Sequence, residues 1–231
     1  ALSTEDTGGR NIAIGYQALL NQNVDAYGYN VAIGYAAGKE VTTGTSNTLV
    51  GALAGDAITE GTVNTLVGYQ AGSALTTGSN NIAIGYQALA AEDAHGKNIA
   101  IGTQALAAQD AGVDAYNVAI GYNVGDSISS GVRNTLIGGG FTGAALTTGS
   151  YNVAVGYGAL QYEDAHGHNV AVGMQALNAL NAGNAGYNVA LGYQAGFAMT
   201  TGVNNTIIGG LAGDAITEAD NNIAIGKSAL S

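Results

Sequence analysis

The chain contains no cysteine and no proline, and only 9% of its 231 residues are charged. Without cysteine, no disulfide bond holds the fold together. The lack of proline, and of a glycine at every third position, excludes a collagen triple helix. Intrinsic disorder is excluded as well, because 47% of the residues are hydrophobic and require a folded core.

Positive charge and long apolar runs are also scarce. Five Lys and Arg residues stand against sixteen Asp and Glu, giving a net charge of -11. The five basic residues are scattered singly, at Arg10, Lys39, Lys97, Arg133 and Lys227. No basic face is therefore expected for nucleic acid or an anionic membrane surface. The apolar runs are only a few residues long, so no membrane insertion is expected, and the N-terminal residues lack the features of a signal peptide.

A five-residue motif recurs thirteen times along the chain. It reads Asn, then Ile, Val or Thr, then Ala, Leu or Ile, then Ile, Val or Leu, then Gly, with 17 to 19 residues between successive copies. The copies begin at Asn11, Asn30, Asn47, Asn64, Asn81, Asn98, Asn117, Asn134, Asn152, Asn169, Asn188, Asn205 and Asn222. Such regularity indicates a stack of similar coils.

The coils are of two kinds. A small residue, usually Ala, stands three residues after most of the motif glycines, and it is followed either by Leu, as at Leu89, or by Gly, as at Gly72. The segment AEDAHGKNIAIGTQAL from Ala91 recurs as YEDAHGHNVAVGMQAL from Tyr162, 71 residues later. This indicates duplication of a four-coil block. The coil around Phe141 has one additional residue and is predicted to contain a local bulge.

The motif itself is too short for a helix and suits a β-strand that ends in a glycine corner. One coil cannot bury its apolar face alone, whereas stacking pairs each strand with neighbours about 4.8 Å away. We expect an all-β, parallel β-solenoid (β-roll) of about thirteen coils of 17 to 19 residues. It forms a single domain over 11–231, after an N-terminal lead-in over 1–10. The repeated Asn residues are interpreted as a ladder, each amide bonding to those above and below.

Both faces of the strand require burial. Alternate residues point to opposite sides, yet the three residues after each Asn are nearly all apolar or Thr. The central residue is small in Ile-Ala-Ile but large in Thr48-Leu49-Val50, which we interpret as volume compensation across two packed faces. One face fits the coil interior, and the other most simply meets further copies around a threefold axis. A wider monomeric solenoid that covers both faces is the alternative.

Two groups of side chains are candidate sites. Tyr follows the motif glycine in seven coils, and these residues could bind sugar rings or form a corner ladder over the core or a subunit seam: Tyr16, Tyr35, Tyr69, Tyr86, Tyr122, Tyr157 and Tyr193. The copies Glu92-Asp93-Ala94-His95 and Glu163-Asp164-Ala165-His166 offer metal-ligand types, but we interpret them as solvated turns repeated by duplication. No nucleophile with a base and no phosphate loop is recognisable, so we expect no enzyme, no metal and no cofactor.

The motif Asn-x-Ala-Ile-Gly, followed by a small residue and Gly, resembles the head repeats of trimeric autotransporter adhesins, which form a left-handed parallel β-roll. The form NIAIGYQAL, at Asn11 and Asn81, is similar to repeats in phage and marine bacterial fibre proteins that end in a self-cleaving chaperone domain. The resemblance covers 11–231 and implies a homotrimer on a cell or virion surface. The coils here are longer than the adhesin head repeat.

These features predict a non-enzymatic structural or adhesive segment of an extracellular fibre. It would be a rigid homotrimeric solenoid that displays a surface away from a cell or virion, and its ends could join head to tail into a filament. The alternative is a phage tail fibre that binds a host-surface receptor or glycan. An ice-binding solenoid is a minor alternative, because its Thr rows should continue from coil to coil and here they are interrupted.

Overall fold

A computed structural model of the chain describes residues 9–24 and 27–231, and these residues form an all-β parallel β-solenoid. This fold class was predicted from the sequence and is confirmed. The described residues contain thirteen strands and no helix, and each strand begins directly after a motif Asn. Most of the lead-in over 1–10 lies outside the described residues.

The chain divides into two compact units, residues 1–116 and 117–231. The first unit contains β1 (Ile12–Ile14), β2 (Val31–Ile33), β3 (Thr48–Val50), β4 (Thr65–Val67), β5 (Ile82–Ile84) and β6 (Ile99–Ile101). The second contains β7 (Val118–Ile120), β8 (Thr135–Ile137), β9 (Val153–Val155), β10 (Val170–Val172), β11 (Val189–Leu191), β12 (Thr206–Ile208) and β13 (Ile223–Ile225).

Within each unit, consecutive strands pair in parallel and in register. Leu49 of β3 lies beside Leu66 of β4, for example, and every other consecutive pair inside a unit follows the same alignment. Backbone bonds also join the coils at a second edge, where the Thr42 N–H donates to the Thr59 carbonyl at 2.9 Å. Successive coils are therefore bonded on more than one side, although only one side is regular strand.

The interior of a coil consists of four rows of side chains. They stand two, seven, eight and eleven residues after the Asn in nearly all coils. In the coil that begins at Asn64 they are Leu66, Ala71, Gly72 and Leu75, all of them buried. Because the same offsets recur in the next coil, interior residues stack on their equivalents and the core continues from coil to coil within each unit.

Large residues at the strand centre and at the eighth position exclude one another. A strand centre of Leu or Ile is accompanied by Gly at the eighth position, or at the ninth in the coil with the additional residue, where Leu136 is matched by Gly143. Leu at the eighth position is always accompanied by a central Ala. A Cβ added at Gly72 would lie only 2.8 Å from Cδ1 of Leu66. Where both are small, as at Ala190 and Gly196, Leu177 of the preceding coil fills the space. The compensation predicted across the two faces of the strand is therefore wrong in its location, because it operates inside the coil.

The coil with the additional residue departs from the others, as expected. The glycines that end the other twelve strands have φ between 119° and 143°, whereas Gly138 after β8 does not adopt a left-handed φ. Phe141 follows it with 46% of its surface exposed, and its ring meets Tyr157 edge-on at a centroid distance of 5.4 Å. The predicted local irregularity at Phe141 is confirmed.

Candidate functional site

The outward face of the strands is a repeating apolar surface in each unit. The central strand residue is buried in twelve of the thirteen strands, and both flanking residues are half-buried or exposed in all of them. Ile33 and Ile84 are each 37% exposed in the first unit, and Leu191 is 45% exposed in the second. We call these first and third strand positions the outward strand face.

The outward strand face carries no charge. Its third position is aliphatic in every coil, and its first position is aliphatic in nine coils and Thr in four. Parallel sheets are ordinarily covered on both faces, and contiguous apolar surface on a soluble protein commonly marks a contact site. The alternation of an inward and an outward residue therefore leaves a surface in each unit that is suited to association.

The seven candidate tyrosines lie next to this face, since each follows the third strand residue by two positions. All are between 46% and 67% exposed: Tyr16, Tyr35, Tyr69, Tyr86, Tyr122, Tyr157 and Tyr193. Only two pairs come from consecutive coils within a unit, and both are stacked, with ring centroids 5.6 Å apart for Tyr16 and Tyr35 and 5.8 Å for Tyr69 and Tyr86. Tyr122, Tyr157 and Tyr193 have no Tyr at this position in the adjacent coils, so the row is interrupted and is not a continuous platform. Sugar binding by these residues stays a prediction.

The motif Asn residues form a row at the other end of the strand. Eleven of the thirteen are buried. Within each unit, Oδ1 of one Asn accepts the backbone N–H of the next at 2.8 to 3.2 Å. Nδ2 of Asn64 also donates to the Gly78 carbonyl at 2.8 Å and to Oδ1 of Asn47 at 3.1 Å. The amide therefore closes its own coil and joins the next, rather than bonding mainly to other amides.

A row that the sequence reasoning missed stands directly before these Asn residues. Three of the five basic residues occupy it, and each donates to a Tyr hydroxyl at the same position of the following coil: Arg10 to Tyr29 at 2.8 Å, Lys97 to Tyr116 at 2.9 Å, and Arg133 to Tyr151 at 2.7 Å. In the second unit the rings of Tyr151 and His168 stack at a centroid distance of 5.0 Å, and the ring of Tyr187 lies against His168 at 4.8 Å with a tilt of 32°. The sequence pattern could have revealed this row. Wherever Arg or Lys stands directly before a motif Asn, Tyr stands directly before the motif Asn of the next coil.

Glu92 and Glu163 are buried, which contradicts the solvated turns expected for these segments. The side chains of both are 0% exposed. They stand eleven residues after their motif Asn, in the interior row that holds Val41, Ile58 and Leu75 in other coils. Counting from the Asn would have revealed a carboxylate in an otherwise mostly apolar row. Burial raises the pKa of Glu92 to about 7 and also raises that of Glu163.

The burial of Glu92 makes stability depend on pH in the metal-free protein. Between its ordinary pKa of 4.5 and about 7, the folded chain holds a proton that the unfolded chain releases. The contribution of Glu92 to the free energy of unfolding is therefore greatest below pH 4.5 and falls by about 3 kcal/mol as pH rises through 7. Glu92→Gln should remove this loss and raise stability at pH 8 relative to wild type.

The measurement is urea unfolding at pH 5 and pH 8 with a chelator present. Glu60→Gln, which changes an exposed glutamate of the same unit, is the control and should leave the pH dependence of wild type intact. An equal pH dependence in Glu92→Gln and wild type would mean that Glu92 is ionised in the folded state at both pH values.

Comparison of the chain with protein-family models, curated proteins and solved structures gives no match. Among the described residues, no helix is long and apolar enough to span a membrane.

Proposed function

We propose that this chain is a non-enzymatic structural or adhesive segment of an extracellular fibre, in which three copies associate through the outward strand face. The observation that carries the proposal is that this face is uncharged in every coil, aliphatic throughout at its third position and in nine of thirteen coils at its first. Burial of apolar surface is the main favourable term in protein association. A face that repeats in register in each unit gives one copy many equivalent contacts with the next.

The chemistry of the coils supports a mechanical role. Within each unit, every coil is joined to the next by strand bonds, by further backbone bonds and by the Asn side chains. A chain built in this way gains stability from contacts between neighbouring coils. The resemblance to adhesin head repeats and to phage and marine bacterial fibre repeats supports the threefold association and the extracellular location.

Display of a binding surface is the second candidate function. The seven tyrosines that follow the motif glycines are about half exposed, which favours a fibre that also contacts a host-surface receptor or glycan. The ice-binding alternative receives no such support. The third position of the outward strand face holds no Thr, and the first position holds Thr in only four of the thirteen coils.

A charge on the outward strand face tests the association. Ile84→Asp should convert the assembled protein to single chains, because a carboxylate from each copy would be buried at an apolar contact against like charges. Ile84 is 37% exposed and lies on the side of β5 opposite the interior, so the solenoid itself should keep its circular dichroism spectrum. Sedimentation velocity measures the change.

Two matched variants accompany this test. Thr77→Asp introduces the same charge at an exposed residue of a turn, and Ile84→Thr makes a neutral change to a residue type that other strands carry outward. Both should sediment like wild type. Dissociation in Thr77→Asp as well, or no dissociation in Ile84→Asp, would mean that the copies meet elsewhere or not at all.

A further inference from the structure

A cluster of four potential metal ligands lies in the turns of the first unit, away from the outward strand face. Glu92, Asp93, His95 and Asp110 each offer one ligand atom, and these four atoms all lie within 4.8 Å of one another. The first three belong to one turn, and Asp110 comes from the linker of the following coil. Such a group could therefore join two successive coils through a single ion.

The distances suit coordination better than hydrogen bonding. Nδ1 of His95 lies 3.7 Å from Oε1 of Glu92, which is too far for a hydrogen bond. A tetrahedral zinc ion with ligands at about 2.1 Å separates neighbouring ligand atoms by about 3.4 Å. The imidazole nitrogen and the carboxylate oxygen are thus separated by nearly the distance expected if one ion lay between them.

One buried polar atom of the cluster has no partner in the protein, and it lies beside a buried carboxylate. Nδ1 of His95 is inaccessible to solvent and has no hydrogen-bond partner, although the His95 side chain as a whole is 32% exposed. The carboxylate of Glu92 is fully buried and accepts hydrogen bonds from the His95 backbone N–H at 3.1 Å and from Nδ2 of Asn98 at 3.5 Å. The nearby lysine, Lys97, pairs with Asp114 at 2.7 Å instead. A buried carboxylate without a cation is costly. A divalent ion would give Nδ1 of His95 a partner and the Glu92 carboxylate a countercharge.

The same arrangement occurs in the second unit. Glu163, Asp164 and His166 offer ligand atoms within 4.8 Å of one another, and Nδ1 of His166 lies 3.5 Å from Oε1 of Glu163, again buried and without a hydrogen-bond partner. The residue equivalent to Asp110, 71 positions later, is Asn181, so the second cluster lacks one carboxylate.

We propose that Glu92, His95 and Asp110, with Asp93, form a zinc site that joins two coils of the first unit, and that Glu163, Asp164 and His166 form a weaker second site. An imidazole with carboxylates is a donor set that zinc accepts, whereas calcium and magnesium prefer oxygen ligands alone. The ion would supply a cross-link between turns in a chain that has no cysteine. The site is independent of the proposed association of copies.

Zinc titration of the full chain by calorimetry, after removal of metal with a chelator, tests the proposal. Wild type should bind two zinc ions, His95→Ala and His166→Ala one each, and the double variant none. His168→Ala is the matched control and should bind two, because His168 is stacked between Tyr151 and Tyr187 outside the cluster. Asp110→Asn, which gives the first cluster the donor set of the second, should weaken the tighter site at least about tenfold.

These variants should fold, because both clustered His side chains are partly exposed in turns and neither Nδ1 makes a hydrogen bond. Circular dichroism without zinc checks this directly, and zinc should raise the melting temperature of wild type but not of the double variant. Zinc binding that persists in the double variant would overturn the proposal. So would calcium binding in place of zinc, or a wild-type dissociation constant weaker than about 100 µM.

Discussion

Replacing Asn64 by alanine is expected to lower the free energy of unfolding by about 4 kcal/mol. Asn64 is 1% exposed, and its Oδ1 accepts the Asn81 backbone N–H at 2.9 Å. Its Nδ2 donates to the Gly78 carbonyl at 2.8 Å. Truncation removes the partners of both backbone groups within the stack, and each buried polar group without a partner costs about 1 to 3 kcal/mol. Urea unfolding followed by circular dichroism measures the loss.

Two further variants separate the hydrogen bonds from other effects. Asn64→Asp keeps the shape but places an oxygen against the Gly78 carbonyl and Oδ1 of Asn47, so at neutral pH it should be at least as destabilising as Asn64→Ala. Asn184→Ala changes an exposed Asn and should alter stability by no more than about 0.5 kcal/mol. If Asn64→Ala and Asn184→Ala had equal stability, the buried row of amides would not hold the coils together.

Gly68→Ala is expected to destabilise the first unit by about 3 to 5 kcal/mol. Gly68 ends β4 with φ of 136°, a conformation that residues with a side chain rarely adopt. A Cβ at this position would also lie 2.5 Å from the Gly85 carbonyl oxygen of the next coil. Relief of that contact requires the two coils to separate, because backbone bonds fix both sides. A fall in the urea midpoint relative to wild type measures the effect.

Gly210→Ala is the matched control for this change. Gly210 is also in a turn directly after a strand glycine, but its φ is not left-handed and the nearest atom to an added Cβ is 4.0 Å away. Alanine there should be neutral within about 0.5 kcal/mol. Equal stability of Gly68→Ala and Gly210→Ala would mean that successive coils are farther apart than their pairing implies.

The fold was largely predictable because the repeat is visible at the level of single residues. The Asn fixes where each strand begins, and the glycine after it fixes the corner, so strand positions and in-register parallel stacking follow from the spacing of the motif. The alternation of inward and outward residues was also predictable, since it depends only on the two-residue period of a strand.

The interior rows at the other edges of the coil could not be assigned in the same way. These rows lie in turns, where residues such as Leu89 and Gly72 adopt a left-handed φ. The turn conformation decides which positions face the interior, and the sequence has no regular period in the turns that would indicate those positions. For that reason the exclusion between Leu66 and Gly72 was attributed to the wrong faces, and Glu92 was expected in solvent. When each position is numbered from its motif Asn, the exclusion between large residues and the burial of Glu92 can both be inferred from the sequence.

The native mass of the full chain by light scattering is the most direct test of association through the outward strand face. Threefold association predicts three times the chain mass of 22.8 kDa, or a multiple of that value if the ends join. A mass of one chain, in a sample that melts cooperatively, would show that the uncharged strand face is stable in water and would contradict the central claim.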